Sequence, residues 1–339
     1  AGALGSIYGG VQFVGWYPIT PASSLAESFQ EYLPMLRKDP VTGKDTCVVV
    51  QSEDELAAIG MSIGAGWAGL RSMTSTSGPG LSLMSEYMGL AYYTETPVVV
   101  WDVQRVGPST GLPTRTAQGD LTQAVFISHG DANFIILIPG SVTECFEFGW
   151  RALDIAEHFQ TPVIVMSDLD LGMNQWMCKK FEYPDQPMDR GKVLWEEDLQ
   201  KMIERGNGQW GRYLDVDGDF IPYRTVAGNR HPRSTWFARG TGHDEFGRYT
   251  EEPDVWERMM NRLLAKFESS HEQLPLPEIH TMTNAKIGII SMGSADAAVI
   301  EARDQMLAED LPTDYLRVRA YPFSQQVKEF IRSHERTYV

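Results

Sequence analysis

The stretch from 51 to 80, QSEDELAAIGMSIGAGWAGLRSMTSTSGPG, constrains the fold more than any other part of the sequence. An acidic triplet is followed by glycines at 60, 64, 66 and 69, then by a Thr/Ser run that ends in Gly-Pro-Gly. Each glycine inside a helix costs about 1 kcal/mol relative to alanine, so these glycines indicate close backbone approach by a partner element or a ligand. We therefore predict a closely packed helix, then a buried strand and a tight turn.

The acidic residues at the start of this helix also have an ordinary local explanation. Ser52 and Glu55 have the spacing of a capping box, in which the serine caps the helix and the glutamate bonds back to it. Glu53 and Asp54 then occupy the first turn, where carboxylates complement the helix dipole. On this interpretation Glu55 has no role beyond the helix terminus.

Apolar runs alternate with amphipathic stretches through the first half of the chain. The run PVVVWD is nearly continuous, which is typical of a strand buried on both faces of a parallel sheet. The alternation predicts a doubly wound, mostly parallel α/β layer. Strands are predicted at 11–16, 46–51, 72–77, 97–102, 133–139 and 161–167, with further helices at 24–37, 81–93 and 141–159.

The pattern changes after 175, and this change sets the predicted domain boundaries. Residues 176–282 form a polar, aromatic-rich segment with helices at 196–205 and 254–270, which we predict to be an ordered excursion that packs on a neighbouring subunit. A second α/β unit follows at 283–339, with strands at 285–292 and 314–318 and helices at 295–308 and 324–333. Neither end has the features of a natural terminus, so we expect a longer parent chain.

Charge and cysteine content exclude several classes of protein. The net charge of -16 argues against nucleic acid or an anionic membrane surface as the main partner, and no apolar run approaches the roughly 20 residues that span a bilayer. Cys47, Cys145 and Cys178 lie far apart without C-x-x-C spacing, so neither a disulfide framework nor a cluster motif is indicated. A reducing cytoplasmic compartment is the default expectation.

Several motifs together are similar to one enzyme family. A glutamate at the start of a small-residue helix, followed by a strand and a Gly-rich turn, resembles the pyrimidine-binding domain of thiamine-diphosphate enzymes. YPITP at 17–21, VQRVGPSTGLPTRTAQGDL at 103–121 and SDLDLGMN at 167–174 resemble the alpha subunit of 2-oxoacid:ferredoxin oxidoreductases. The resemblance implies a pyrimidine-type domain at 1–175 and a C-terminal domain like that of transketolase at 283–339.

The same resemblance implies which residues contact the cofactor. Glu55 is implied to act on the pyrimidine nitrogen N1′ of thiamine diphosphate, and Glu53 is its rival if the alignment slides by two residues. The remaining implied cofactor-binding residues are Tyr17, Pro18, Thr20 and Gly80.

Two arginines are candidates for the substrate carboxylate, because a guanidinium group presents a planar fork that matches two oxygens. Arg105 closely follows a buried strand, and Arg115 lies in the long loop after it. Loops of this length are uncommon in compact domains and are often functional. The resemblance favours Arg105 and places Arg115 second, with Thr20 beside the oxoacid. Thr20 also has a simpler explanation as a helix N-cap.

The acidic pair Asp168 and Asp170 suggests a metal at first sight, but aspartates at a strand end more often cap a following helix, so we predict no metal ligand in this chain. The resemblance implies that thiamine diphosphate is shared with a beta subunit that carries Mg²⁺ and a [4Fe-4S] cluster, because the GDG motif for diphosphate is absent here. The resemblance further implies that the assembled enzyme is a dimer of alpha–beta heterodimers.

The implied reaction converts a 2-oxoacid, CoA and oxidised ferredoxin into acyl-CoA, CO₂ and reduced ferredoxin, or runs in reverse. By resemblance 2-oxoglutarate is the favoured substrate, and pyruvate or a branched-chain oxoacid is left open. Two other functions stay open: a non-catalytic α/β scaffold whose glycine helix packs at a dimer interface, and a transketolase-like transferase. The transferase is disfavoured because it needs either the absent diphosphate motif or a partner without a cluster.

Overall fold

The computed structural model describes residues 1–183, 185–206 and 208–339. The strands are β1 (Phe13–Trp16), β2 (Val48–Gln51), β3 (Ser72–Thr76), β4 (Val98–Gln104), β5 (Ile135–Leu137), β6 (Pro162–Asp168), β7 (Glu278–His280), β8 (Ile287–Met292), β9 (Thr313–Val318), β10 (Ala320–Tyr321) and β11 (Arg336–Tyr338). The helices are α1 (Gly2–Tyr8), α2 (Ser23–Leu36), α3 (Glu55–Trp67), α4 (Gly78–Leu83), α5 (Ser85–Tyr93), α6 (Leu121–Val125), α7 (Val142–Phe159), α8 (Leu169–Met173), α9 (Glu196–Arg205), α10 (Pro253–Ser269), α11 (Asp296–Ala308) and α12 (Gln325–Ser333).

A seven-stranded sheet forms the first layer, in the order β10-β5-β6-β4-β3-β1-β2. All of its pairs are parallel except β10 with β5. Every residue of β4 and β6 is buried, because helices cover both faces of the sheet. The six predicted strands all form, which confirms the doubly wound α/β fold. Because β1, β3, β4 and β6 run parallel, their carboxyl ends lie at one edge of the sheet, where ligands of such sheets bind.

The glycines of the 51–80 stretch differ in their surroundings. A Cβ on Gly66 would collide with the carbonyl oxygen of Pro97, so the predicted close backbone approach is present there. A Cβ on Gly60 would lie 3.1 Å from the ring of Tyr87, whereas none of the described atoms lies within 4 Å of the corresponding position on Gly64. Gly69 lies beyond the end of α3 with φ +94°, so it ends the helix rather than interrupting it.

A second, four-stranded sheet has the order β11-β8-β9-β7, with β7 antiparallel to β9. It is joined to the first layer by Glu144 of α7, which receives hydrogen bonds from Arg317 and Arg319. The boundaries at 175 and 282 stay predictions. Two strands cross them. β7 precedes residue 282 but belongs to the second sheet, and β10 follows residue 282 but pairs with the first sheet.

The segment between the two sheets packs on the first layer of its own chain. The side chain of Glu95, which is fully buried, receives hydrogen bonds from Arg262 and Lys266 of α10. The buried Arg212 donates to the carbonyl oxygen of Glu95. That this segment also packs on a neighbouring subunit remains a prediction.

Among the described residues, none of the helices is both long enough and apolar enough to cross a lipid bilayer.

Candidate functional site

Glu55 lies at the first position of α3, close to the carboxyl ends of β1 and β3. The helix is capped by Asp54, whose Oδ1 accepts a hydrogen bond of 2.7 Å from the backbone N–H of Ala57. Ser52 instead donates to the carbonyl oxygens of Trp16 and Asp54. The predicted capping box of Ser52 and Glu55 is therefore wrong. Asp54 is positioned at the N-cap, so the carboxyl group of Glu55 is not used for capping.

The side chain of Glu55 is largely buried, with 8% of the residue exposed, and its carboxyl oxygens retain some contact with solvent. Its Cγ and Oε1 lie 2.7 and 3.0 Å from the position that a Cβ on Gly80 would take, and that Cβ would also collide with the hydroxyl of Thr76. Within the described part of the chain no N–H or O–H group donates to this carboxyl group. Glu55 is thus held against α4 with its hydrogen-bonding capacity unused.

Residues 17–20 follow β1 directly, and their exposure differs. Pro18 is exposed, while Tyr17 and Thr20 are partly buried. Thr20 is not an N-cap, because α2 begins at Ser23 after Ala22. Its carbonyl oxygen instead accepts a hydrogen bond of 2.6 Å from Nη1 of Arg105.

Arg105 lies at the end of β4 and is buried, with 6% exposed. Its Nη1 and Nη2 donate to the carbonyl oxygens of Thr20 and Thr110, the second at 2.7 Å. Its Nε–H is buried and has no partner among the described residues. The guanidinium group therefore joins the loop after β1 to the loop after β4. Its Nε–H and one N–H of each Nη atom make no hydrogen bond to the described residues. Arg115 is exposed, and its Nη1 donates to the carbonyl oxygen of Thr114, so the two arginines have different environments.

Two carboxyl groups at this edge were not singled out from the sequence. Asp102 of β4 is fully buried, and Asp120 lies at the far end of the 106–120 loop. Burial raises the pKa of Asp102 well above its ordinary value, and the neighbouring Asp120 raises it further. A Cβ on Gly78 would lie 2.8 Å from Oδ2 of Asp120, which places this pair beside α4. The only local signal was an aspartate inside an otherwise apolar strand.

Asp168 at the end of β6 caps α8, as expected for an aspartate that follows a strand. Its Oδ1 accepts from the backbone N–H of Leu171 at 3.1 Å. Its Oδ2 accepts from Gln118 at 3.2 Å and from the hydroxyl of Ser294. This aspartate thus joins the 106–120 loop to the second α/β unit, a role that the sequence pattern did not indicate.

Apolar side chains are also present on the exposed sides of α3 and α4, away from the buried face that includes Glu55. Leu56 and Met61 of α3 and Leu83 of α4 are 39%, 36% and 52% exposed. The open space at Gly64 lies on the same helix. Single exposed apolar residues of this kind are common on protein surfaces.

The arrangement can hold a ring that presents an N–H group to Glu55. A largely buried carboxyl group that receives no hydrogen bond from the described residues can accept one from a ligand nitrogen. In residues 1–183, 185–206 and 208–339 there is no group of three or more His, Cys, Asp or Glu side chains arranged to hold a metal ion.

Comparison with known proteins identifies a consistent set of relatives. Residues 4–199 match the family described as "Pyruvate flavodoxin/ferredoxin oxidoreductase, thiamine diP-bdg". The chain is 34% identical to the 2-oxoacid:ferredoxin oxidoreductase subunit alpha of Saccharolobus solfataricus, over 100% of this chain and 54% of that protein. It is 35% identical to the 2-oxoglutarate synthase subunit KorA of Methanothermobacter marburgensis, over 99% of this chain and 84% of that one.

A solved structure gives the same result for the fold. The 2-oxoglutarate:ferredoxin oxidoreductase of Magnetococcus marinus, with 2-oxoglutarate, coenzyme A and succinyl-CoA bound, superposes with a TM-score of 0.85 at 33% identity. The match covers 99% of this chain and 55% of that chain. The chain therefore spans about half the length of several of the proteins that it matches.

Proposed function

Because the chain belongs to the thiamine-diphosphate-binding family of pyruvate flavodoxin/ferredoxin oxidoreductases, we propose that it is the alpha subunit of a CoA-dependent 2-oxoacid:ferredoxin oxidoreductase. The reaction is the oxidative decarboxylation of a 2-oxoacid to acyl-CoA and CO₂, or the reverse carboxylation. We favour 2-oxoglutarate, because relatives named 2-oxoglutarate synthase match nearly the whole chain and the superposed enzyme has 2-oxoglutarate bound. Pyruvate or a branched-chain oxoacid is the alternative substrate.

The observation that carries the proposal is the packed, donor-free carboxyl group of Glu55. When bound, thiamine diphosphate supplies the carbanion chemistry that decarboxylation of a 2-oxoacid requires. Glu55 holds a proton at the pyrimidine nitrogen N1′, and Gly80 allows the carboxyl group to lie against α4 while it does so. Glu53 is exposed and lies before α3 begins, so its position favours Glu55 for this role.

Substrate binding is proposed at the loops that Arg105 joins. Arg105 binds the oxoacid carboxylate through its unused N–H groups, Thr20 lies beside the substrate, and Arg115 is the second candidate. The position of Tyr17 and Pro18 directly after β1 supports their contact with the cofactor. This assignment is supported by the meeting of the loops after β1 and β4 at one point.

The proposed active site needs a second subunit. The absence of a GDG motif supports a beta subunit that binds the diphosphate, Mg²⁺ and a [4Fe-4S] cluster, and that passes electrons to ferredoxin. We propose a dimer of alpha–beta heterodimers. The free thiols of Cys47, Cys145 and Cys178 support a location in the reducing cytoplasm.

The purified complex of this chain with its partner tests the proposal directly. We expect 2-oxoglutarate to reduce a viologen dye only when CoA is present, with pyruvate at least about tenfold less effective in kcat/KM, since a site built for a charged group rejects the analogue that lacks it. Iron analysis of the same sample is expected to find a cluster in the partner. A complex without iron that transfers ketol groups would favour the transketolase-like alternative, and a chain that recruits no partner would favour the scaffold.

The two arginines make separable contributions to substrate binding. We expect Arg105→Lys to raise the KM for the oxoacid roughly 10- to 100-fold, because a charge-assisted hydrogen bond contributes about 1.5–3 kcal/mol and lysine cannot form the planar fork. Arg115→Lys is the matched control and is expected to change KM less. Binding of thiamine diphosphate, measured by fluorescence quenching, should be the same in both variants. A larger effect of Arg115→Lys would transfer the role to Arg115.

A further inference from the structure

The loop 106–120, which carries Arg115, is fixed to the sheet at three places. Near its start, the carbonyl oxygen of Thr110 accepts from Arg105. Near its end, Gln118 donates to Asp168 of β6 and, at 3.1 Å, to the carbonyl oxygen of Met292 in the second α/β unit. The third place is its last residue, Asp120, which lies between Gln104, two residues after Asp102 in β4, and Gly78, two residues after the register partner of Asp102. There its carboxyl group interacts with that of Asp102.

The surroundings of Asp102 and Asp120 provide no other donor. Both carboxyl oxygens of Asp102 and Oδ2 of Asp120 are buried, and none of the described N–H or O–H groups donates to them. The backbone N–H of Asp120 donates to Oε1 of Gln104, at 3.4 Å, and this contact holds the residue at the sheet edge. Asp102 is fully buried and Asp120 is partly buried, and two such adjacent carboxylates cannot both ionise at low cost, so one of them retains a proton.

We propose that Asp102 and Asp120 share one proton and that the resulting acid–carboxylate hydrogen bond latches the 106–120 loop onto the sheet edge. Asp102 is the donor, because it is the more deeply buried of the two. A hydrogen bond between a carboxylic acid and a carboxylate is roughly twice as strong as one between neutral groups. One role of Asp102 rests on the proposed function. In that enzyme Asp102 is a positioning residue that sets where the loop lies relative to the oxoacid.

The latch is sensitive to pH. Burial raises the pKa of Asp120 and raises that of Asp102 well above its ordinary value, so the pair binds a second proton at low pH and loses the shared proton as pH rises through the raised pKa of Asp102. The latch is complete between these two steps and weakens above the second. The strand neighbour Thr76 of β3, Met166 of β6 and Gly78 of α4 do not titrate in this range.

The ionisable side chains around this edge do not neutralise a second negative charge on the pair. Glu55 contacts Gly80, and Asp168 is the register partner of Gln104, so both are acidic. Arg105 is the nearest cation along the chain, and it does not contribute to the shift of either aspartate. Loss of the shared proton would therefore leave two repelling carboxylates.

The test uses hydrogen–deuterium exchange on the complex with its partner, read from peptides within 106–119. We expect Asp102→Ala to speed exchange of this segment roughly tenfold and to raise the KM for the oxoacid by a similar factor, because Asp120 is left buried without a donor. Segment 226–235 is the internal reference.

Asp102→Asn is the matched variant, because its amide donates to Asp120 at every pH. After correction for intrinsic exchange, we expect the wild-type segment to open more as pH rises, and the Asp102→Asn segment to stay protected and independent of pH. Equal pH dependence in the two proteins would overturn the latch, and so would unchanged exchange in Asp102→Ala. If Asp102→Ala does not fold, the pH dependence of exchange in wild type and in Asp102→Asn is sufficient to test the latch. Exchange requires no turnover, so an inactive wild-type complex with the expected exchange pattern refutes only the proposed function.

Discussion

Replacing Glu55 by glutamine is expected to abolish most of the oxoacid-dependent dye reduction by the complex, with a loss in kcat of about 10²–10⁴-fold. An amide cannot exchange a proton with the pyrimidine nitrogen N1′, whereas its size and shape are almost those of the carboxyl group. The packing against Gly80 and the cap at Asp54 are therefore retained. We expect thiamine diphosphate to bind with little change, so the loss should appear in kcat rather than in cofactor affinity.

Glu53→Gln is the matched control for this experiment, because it removes a carboxylate two residues away. Glu53 is exposed and precedes the helix, so its loss is expected to change kcat less than about twofold. If Glu55→Gln retains full activity with bound cofactor, the assignment is wrong and the residue serves only the packing of α3 on α4. If Glu53→Gln is the inactive variant, the alignment of the motif slides by two residues.

The sheet could be predicted from the sequence because its strands are local patterns. A run such as PVVVWD is buried on both faces, so its hydrophobicity alone identifies β4. The choice of Glu55 came from the family resemblance, because its sequence separations from Gly60, Gly64, Gly69 and Gly80 match the pattern of that family. Its contact with Gly80 is present in the structure, and its role stays a prediction. The sequence did not determine which residue caps α3, because Ser52 and Asp54 are both good N-caps. Ser52 bonds to Trp16 in β1, and Asp54 caps the helix.

The parts that could not be predicted depend on contacts between distant residues. Nothing near Asp102 in the sequence indicates that Asp120 lies beside it, since parallel strand pairing and the course of the long loop bring them together. The role of Asp168 depends on Ser294, 126 residues later in the chain. Likewise, the two residues of β10 pair with β5, far away in the sequence, next to the point where Arg317 and Arg319 bind Glu144 of α7.

The buried charges around Glu95 predict the largest effect on stability. Glu95 lies before β4, and it is enclosed by Arg262 and Lys266 of α10. Burial alone would raise the pKa of Glu95, but the two cations outweigh it and hold that pKa well below its usual range. Removing one member of a buried ion pair typically costs about 3–5 kcal/mol, because the partner charges remain buried without compensation. We expect Glu95→Gln to lower the free energy of unfolding by an amount in this range, measured by urea denaturation.

The exposed pair of Lys286 and Glu335, 2.8 Å apart, provides the matched control. Glu335→Gln makes the same chemical change where solvent screens both charges, so we expect a cost below about 1 kcal/mol. The pKa of Glu95 is depressed in the folded state. Its ionised carboxylate therefore contributes to the free energy of unfolding above the ordinary glutamate pKa, near 4.3, and this contribution is lost as pH falls below that value. The difference in the free energy of unfolding between wild type and Glu95→Gln should therefore decrease on acidification. Equal costs for the two glutamine variants would show that α10 is held to the first layer by apolar packing alone.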